Sequence, residues 1–200
     1  MNLPPVILAS ASPRRVELLR QVVFRFKVLP SDAPEAEHEH FTPREIALLN
    51  AYHKARTVAK RFPDSLVIGA DTVVARGTNL YGKPRNKRDA CRMLGELEGC
   101  SHDVLTGVCL LHLRSHRQAV FAEQTSVRFL SLTEDKIRGY VSRVHTLDKA
   151  GAYAIQEEGE SIVESIEGSY TNVVGLPVER LHEALREWAV VTEFQAGAQA

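Results

Sequence analysis

Ser10-Ala11-Ser12-Pro13-Arg14-Arg15 gathers two small hydroxyls and two guanidinium groups in one short segment. Ser12 before Pro13 predicts an N-cap and a helix that starts at the proline. Arginines in a first turn stand at the positive end of the helix dipole, at a cost of roughly 0.3–1 kcal/mol each. A bound anion reverses that sign, since backbone N–H groups, Ser10, Ser12, Arg14 and Arg15 then converge on one negative charge. The same arginines also read as ordinary solvated charges. A second irregularity is Asp71, a lone carboxylate in the apolar run Val67-Ile68-Gly69-Ala70-Asp71-Thr72-Val73-Val74. It is costly to bury unless paired or metal-bound. It reads as a strand end or an internal salt bridge, or as a reactive acid, which we favour. Gly69 and Ala70 beside it predict room for a ligand.

Three further segments carry polar chemistry. In Gly82-Lys83-Pro84-Arg85-Asn86-Lys87-Arg88, Lys83 suits a phosphate as a point charge, and the later charges read as a solvated helix face. The segment Ser31-Asp32-Ala33-Pro34-Glu35-Ala36-Glu37-His38-Glu39-His40 offers hard oxygen ligands suited to Mg²⁺ or Mn²⁺, and taken alone it is an acidic surface loop. In Asp148-Lys149-Ala150-Gly151-Ala152-Tyr153-Ala154-Ile155-Gln156, small residues surround one amide, which can donate to and accept from a base edge. An anion site of triphosphate size, carboxylates for a divalent ion and a base-reading amide add up to nucleotide phosphate chemistry. No GxxxxGK[ST] run and no GxGxxG after a strand is present, which argues against a P-loop or a Rossmann site.

The elements that must position these residues alternate between strand and helix. Val6–Ala9 and Phe26–Leu29 read as strands around a helix that presents Val16, Leu19 and Val23 on one face. Thr42-Pro43-Arg44-Glu45 is a capping box that opens a helix to about Arg61. Leu66–Ala75 reads as a buried strand, with a hairpin return at Gly77 and Asn79. Asn86 caps a helix to about Leu97, strands follow over Val104–Leu113 and Ala119–Leu130, and Thr133 caps a helix to about Arg143. Ile162–Ile166 reads as a short strand, Gly168-Ser169-Tyr170-Thr171-Asn172-Val173-Val174-Gly175-Leu176-Pro177 as a tight connection, and Pro177 starts a last helix to about Val190. The expectation is α/β, with a mixed sheet in one domain over residues 1–192 and a frayed tail over 193–200.

Composition bounds the partners. Lys plus Arg and Asp plus Glu both number 25, so the formal net charge is zero. That argues against a nucleic-acid coat, which depends on neutralising phosphates. At 44% hydrophobic and 25% charged residues, the chain has the balance of a folded globular domain. Cys91, Cys100 and Cys109 have neither a CxxC nor a zinc spacing. No run is long enough for a membrane helix and the N-terminus lacks a secretory pattern, so a cytoplasmic protein is expected.

Leu8-Ala9-Ser10-Ala11-Ser12-Pro13-Arg14-Arg15, Gly69-Ala70-Asp71-Thr72, Gly82-Lys83-Pro84, Asp148-Lys149-Ala150-Gly151-Ala152-Tyr153 and Gly175-Leu176-Pro177 resemble, in order, the Maf nucleoside triphosphate pyrophosphatases. The resemblance runs from about residue 6 to residue 188. It implies an α/β fold with two lobes around a central cleft, related to the inosine triphosphate pyrophosphatases. It also implies hydrolysis of a nucleoside triphosphate to the monophosphate and pyrophosphate with a divalent cation. Ala152-Tyr153-Ala154-Ile155-Gln156 is similar to the dTTP/UTP branch and differs from the 7-methyl-GTP branch. By the same resemblance Asp71 matches the proton acceptor. Arg14, Thr72 and Gln156 match positions tied to substrate choice. Ser10, Arg15, Glu35, Lys54 and Lys83 match cleft residues that hold phosphate or metal, the metal pair being Glu35 and Asp71. Homodimers are common in that family, and its original name leaves open a non-catalytic nucleotide-binding regulator linked to cell division. The chain departs from the pattern at Pro34, where a second acid is usual, and at Ala154 and Glu157, where glycine is usual. Glu157 places an extra carboxylate beside the expected base pocket.

Overall fold

The computed structural model describes residues 3–34 and 40–197, with side chains up to residue 189. The described chain folds as a seven-stranded mixed sheet flanked by helices. Strands β1 (Val6–Leu8) and β2 (Phe26–Val28) flank helix α1 (Pro13–Arg20). Helix α2 (Pro43–Ala59) leads into the long strand β3 (Leu66–Arg76), which returns through β4 (Asn79–Tyr81). Helix α3 (Lys87–Leu97), β5 (Ser101–His112), β6 (Arg117–Phe129) and α4 (Glu134–Arg143) follow. Strand β7 (Val163–Glu167), the short helix α5 (Tyr170–Val174) and α6 (Val178–Gly197) complete the fold.

Most expected elements stand near the expected places. Helix α1 ends at Arg20, so Val23 joins the core from the turn after it, and β5 and β6 begin earlier than expected, at Ser101 and Arg117. The connection over 168–177 holds a helical turn, α5, capped by the Ser169 hydroxyl, which accepts from Asn172 N. The last helix runs past Val190, so residues 193–197 continue it, while 198–200 lie outside the described residues.

The sheet order is β2-β1-β3-β5-β6-β7, with β4 on β3. Strand β1 is parallel to β2 and β3, and the remaining pairings are antiparallel. Strand β5 occupies one edge of β3 from Val67 to Ala75. On the other edge β1 pairs only with Leu66–Ile68 and β4 only with Val74–Arg76. Between them residues 69–73 have no strand partner on that edge. The sheet is interrupted there, at the carboxyl end of β1, where α/β sheets bind ligands.

Both faces of β3 are covered, which explains its nearly continuous burial. Leu66, Ile68 and Ala70 join α1 and α6 in one core through Leu18, Leu19, Leu181 and Leu185. Val67 faces α2 and packs with Ala51, Ala55 and Val58. A third core lies under α3 and α4, around Leu94, Leu97, Phe129 and Tyr140.

Gly69 and Gly107 set how closely α2 approaches the sheet. A Cβ on Gly69 would stand 2.2 Å from Ala51 O, and one on Gly107 2.2 Å from Ala47 O. The space expected for a ligand beside Gly69 is therefore filled by a helix backbone.

Candidate active site

The interruption in the sheet opens into a cavity of about 1010 Å³, at the upper end of the size usual for small-molecule sites. Ser10, Ser12, Arg14 and Arg15 line it from the β1–α1 junction, and Lys54 from α2. Asp71 and Thr72 line it from β3, Lys83 from the segment after β4, and Gln156 from the segment before β7. Nine of the ten sequence-selected residues thus share one cavity. Glu35 is the tenth, and it lies outside the described residues with the centre of the acidic loop.

Asp71 is buried, at 7% exposure. Its Oδ1 lies 2.5 Å from Lys54 Nζ, and its Oδ2 accepts from Asn50 Nδ2 at 3.0 Å. The close seat of α2 on Gly69 and Gly107 brings those two side chains, one helical turn apart, down onto the carboxylate. Asn50 was not among the sequence candidates. Its signal was legible as a polar residue in the buried stripe Ile46, Ala47, Ala51 and Ala55.

Arg15, expected to grip phosphate, lines the cavity and is also engaged with the protein. Its Nε donates to Gly175 O at 2.8 Å, Nη1 to Ala70 O at 2.9 Å and Nη2 to Thr72 Oγ1 at 2.9 Å. The guanidinium ties α1, the open edge of β3 and the end of α5 together at the cavity wall. Arg14 is more exposed, and its Nη1 lies 3.3 Å from Asp148 Oδ2. Asp148 also meets Lys149, whose buried ammonium lies 3.3 Å from Glu157. Glu157, the residue after Gln156, thus pairs with Lys149, which itself lines the cavity.

Ser12 occupies the N-cap position of α1, yet its side chain makes no cap bond and the first turn contains no acid. Helices α2, α3, α4 and α5 are each capped by a side chain, from Thr42, Asn86, Thr133 and Ser169. The N-terminus of α1, without a side-chain cap, lies at the cavity and is open to an anion. Tyr153 backs the Gln156 segment. It is reached by two successive left-handed residues, Gly151 at φ 70° and Ala152 at φ 62°, and its hydroxyl is 2.9 Å from His102 Nε2. Lys83 is exposed at the cavity rim, as is Gln156.

The arrangement offers a buried carboxylate held by an ammonium and an amide, beside a cationic, hydroxyl-bearing anion site, with an amide at the rim. That is a hydrolytic centre suited to a phosphorylated ligand. The sequence profile of the family described as Maf-like protein matches residues 5–188. A dTTP/UTP pyrophosphatase of Carboxydothermus hydrogenoformans is 45% identical over 185 residues, spanning 92% of this chain and 98% of that one. A dTTP/UTP pyrophosphatase of a Geobacillus species is 47% identical over 175 residues, spanning 88% and 93%. Among solved structures, a HAM1 protein from Coxiella burnetii superposes with a TM-score of 0.53 at 15% identity, covering 92% of this chain and all of that one. That likeness concerns the fold alone.

Proposed function

The chain belongs to the Maf-like family, and from that premise we propose that it is a nucleoside triphosphate pyrophosphatase that hydrolyses dTTP and UTP to the monophosphate and pyrophosphate. The observation that carries this reading is that nine side chains of the required chemistry line one cavity, with Asp71 as its buried carboxylate.

The triphosphate lies against the N-terminus of α1, where Arg14, Lys83 and the Ser12 hydroxyl meet its negative charge. Water attacks the α-phosphorus while Asp71 takes its proton. The α–β phosphoanhydride bond breaks and pyrophosphate leaves with the bond electrons. Lys54 and Asn50 hold the carboxylate in one orientation for that transfer. The Gln156 amide can donate to O4, the acceptor that thymine and uracil share and that cytosine replaces with a donor amine, which leaves N3–H to a second acceptor at the cavity wall.

The donor set fits Mg²⁺ or Mn²⁺ bound mainly through the substrate, since such ions use one or two carboxylates beside phosphate oxygens. Asp71 is a cavity carboxylate, and the described residues contain no group of three or more His, Cys, Asp or Glu that could hold a metal. Asp71, with Glu35, would hold the ion, which neutralises phosphate charge when bound. No helix among the described residues is long and apolar enough to cross a membrane.

The test is product analysis with dTTP, UTP, CTP and 7-methyl-GTP, with Mg²⁺ or Mn²⁺ and then with chelator. Pyrophosphate and monophosphate should form from dTTP and UTP. Nucleotide bound without pyrophosphate release would instead support the regulator reading, and orthophosphate release would mark a different phosphatase.

A further inference from the structure

A hydrogen-bond chain runs inward from the cavity wall along the sheet. Arg15 Nη2 donates to Thr72 Oγ1 at 2.9 Å, and Thr72 Oγ1 lies 2.9 Å from Thr106 Oγ1. Thr106 Oγ1 lies 3.1 Å from Asn172 O. Thr72 and Thr106 are direct partners across the β3–β5 pairing, and Thr106 and Asn172 are fully buried.

Only one direction places a hydrogen in every contact. A guanidinium only donates and a carbonyl only accepts. Thr106 must therefore give its proton to Asn172 O, and it then accepts the proton of Thr72. With the opposite direction, the Thr106 hydroxyl and the Asn172 carbonyl would face each other as two bare oxygens at 3.1 Å. Asn172 is itself fixed, since its Nδ2 donates to Val104 O at 3.0 Å and to Thr125 Oγ1 at 2.9 Å. The Thr72 proton thus points away from the ligand. One lone pair takes Arg15, and one remains. Thr72 and Gly175 both line the cavity, and residue 175 puts no side chain beside that lone pair: a Cβ there would lie 3.5 Å from Thr72 Oγ1.

We propose that Thr106 and the Asn172 carbonyl are positioning groups that make Thr72 an obligatory acceptor toward the cleft, so that it takes a substrate N–H and repels a substrate lone pair at the same place. The inference rests on the pyrimidine reading above. N3 carries hydrogen in thymine and uracil and a lone pair in cytosine. Discrimination between them is thus set partly by a residue that never touches the nucleotide. A hydroxyl free to rotate would donate to cytosine N3 as readily as it accepts from N3–H.

The experiment measures kcat/KM for dTTP and dCTP in the wild type, Thr106→Val and Thr106→Ser, with a thermal melt of each. Valine keeps the shape and removes the relay, and serine keeps the relay. The wild type should prefer dTTP. Thr106→Val should lower the dTTP-to-dCTP ratio about three- to tenfold, the range for one hydrogen bond, and Thr106→Ser should restore it. An equal loss on both substrates, or an unchanged ratio, overturns the proposal and leaves Thr106 a structural residue. If the valine variant does not fold, Thr106→Ala is measured in its place with the same two outcomes. A wild type that turns over both nucleotides equally well refutes the pyrimidine reading itself, before any variant is compared.

Discussion

Lys54 Nζ and Asp71 Oδ1, 17 residues apart along the chain, meet at 2.5 Å, with both side chains largely out of solvent, at 14% and 9% exposure. Taking one partner away leaves the other as a buried charge, which typically costs about 3–5 kcal/mol. Lys54→Met should lower unfolding stability by an amount in that range. Asp71→Asn in the same background should recover most of it. Urea unfolding of the two single variants and the double variant measures this, and additive losses would contradict the pairing.

Asp71→Asn alone keeps the shape and removes the proposed proton acceptor. General-base catalysis contributes about 10²- to 10⁴-fold, so kcat should fall by that factor while nucleotide binding persists. Single-turnover kinetics with dTTP, beside nucleotide binding by calorimetry, separates the two effects.

Arg14 is held across the cavity mouth by Asp148 at 3.3 Å, with both side chains partly in solvent. Such a pair contributes under about 1 kcal/mol to stability. Arg14→Ala should therefore leave the melting temperature nearly unchanged while raising KM for dTTP about tenfold, the cost of losing one charge-assisted contact of roughly 1.4 kcal/mol. A KM that stays at the wild-type value would remove Arg14 from the triphosphate site.

Gly107→Ala pushes a methyl group into the backbone of α2 at 2.2 Å from Ala47 O. The helix must lift, and Asn50 and Lys54 lift with it. The expected loss is on the order of 3 kcal/mol, accompanied by a fall in kcat. Gly95→Ala, where a Cβ would be 4.0 Å from Ile137, is the control and should be close to neutral.

Burial, aided by Arg76, lowers the His102 pKa from 6.5 to about 4. The folded state thus holds this imidazole neutral, and the unfolded chain binds the extra proton. Its contribution to stability is complete above pH 6.5 and is lost as pH falls toward 4. The loss amounts to up to about 3 kcal/mol and does not grow further below that pH. His102→Gln should flatten the stability profile over that window, read by denaturant unfolding from pH 7 to pH 4.

Asp71 was legible because a carboxylate in an apolar strand breaks the local pattern. The capping box at Thr42 and the cap at Asn86 were legible because their partners lie three residues away. The protein contacts of Arg15 were not legible. Its acceptors at Ala70, Thr72 and Gly175 lie 55 to 160 residues along the chain, and only the fold brings them to one guanidinium. Gly69 was read as space for a ligand because sequence shows that a side chain is missing, without showing what fills the gap. The pairing of Glu157 with the buried ammonium of Lys149 was likewise not legible, since sequence does not show which cation a carboxylate meets.

The unpaired edge of β3 over 69–73 has a meaning beyond the chemistry it exposes. A bare strand edge invites a strand from another molecule, and proteins guard such edges against aggregation. Here the bare stretch is recessed between β1 and β4, and the Ala70 carbonyl is already taken by Arg15. An incoming strand would meet an occupied acceptor and two blocked ends. The protein keeps a substrate-sized interruption in its sheet without leaving a seed for intermolecular β-pairing.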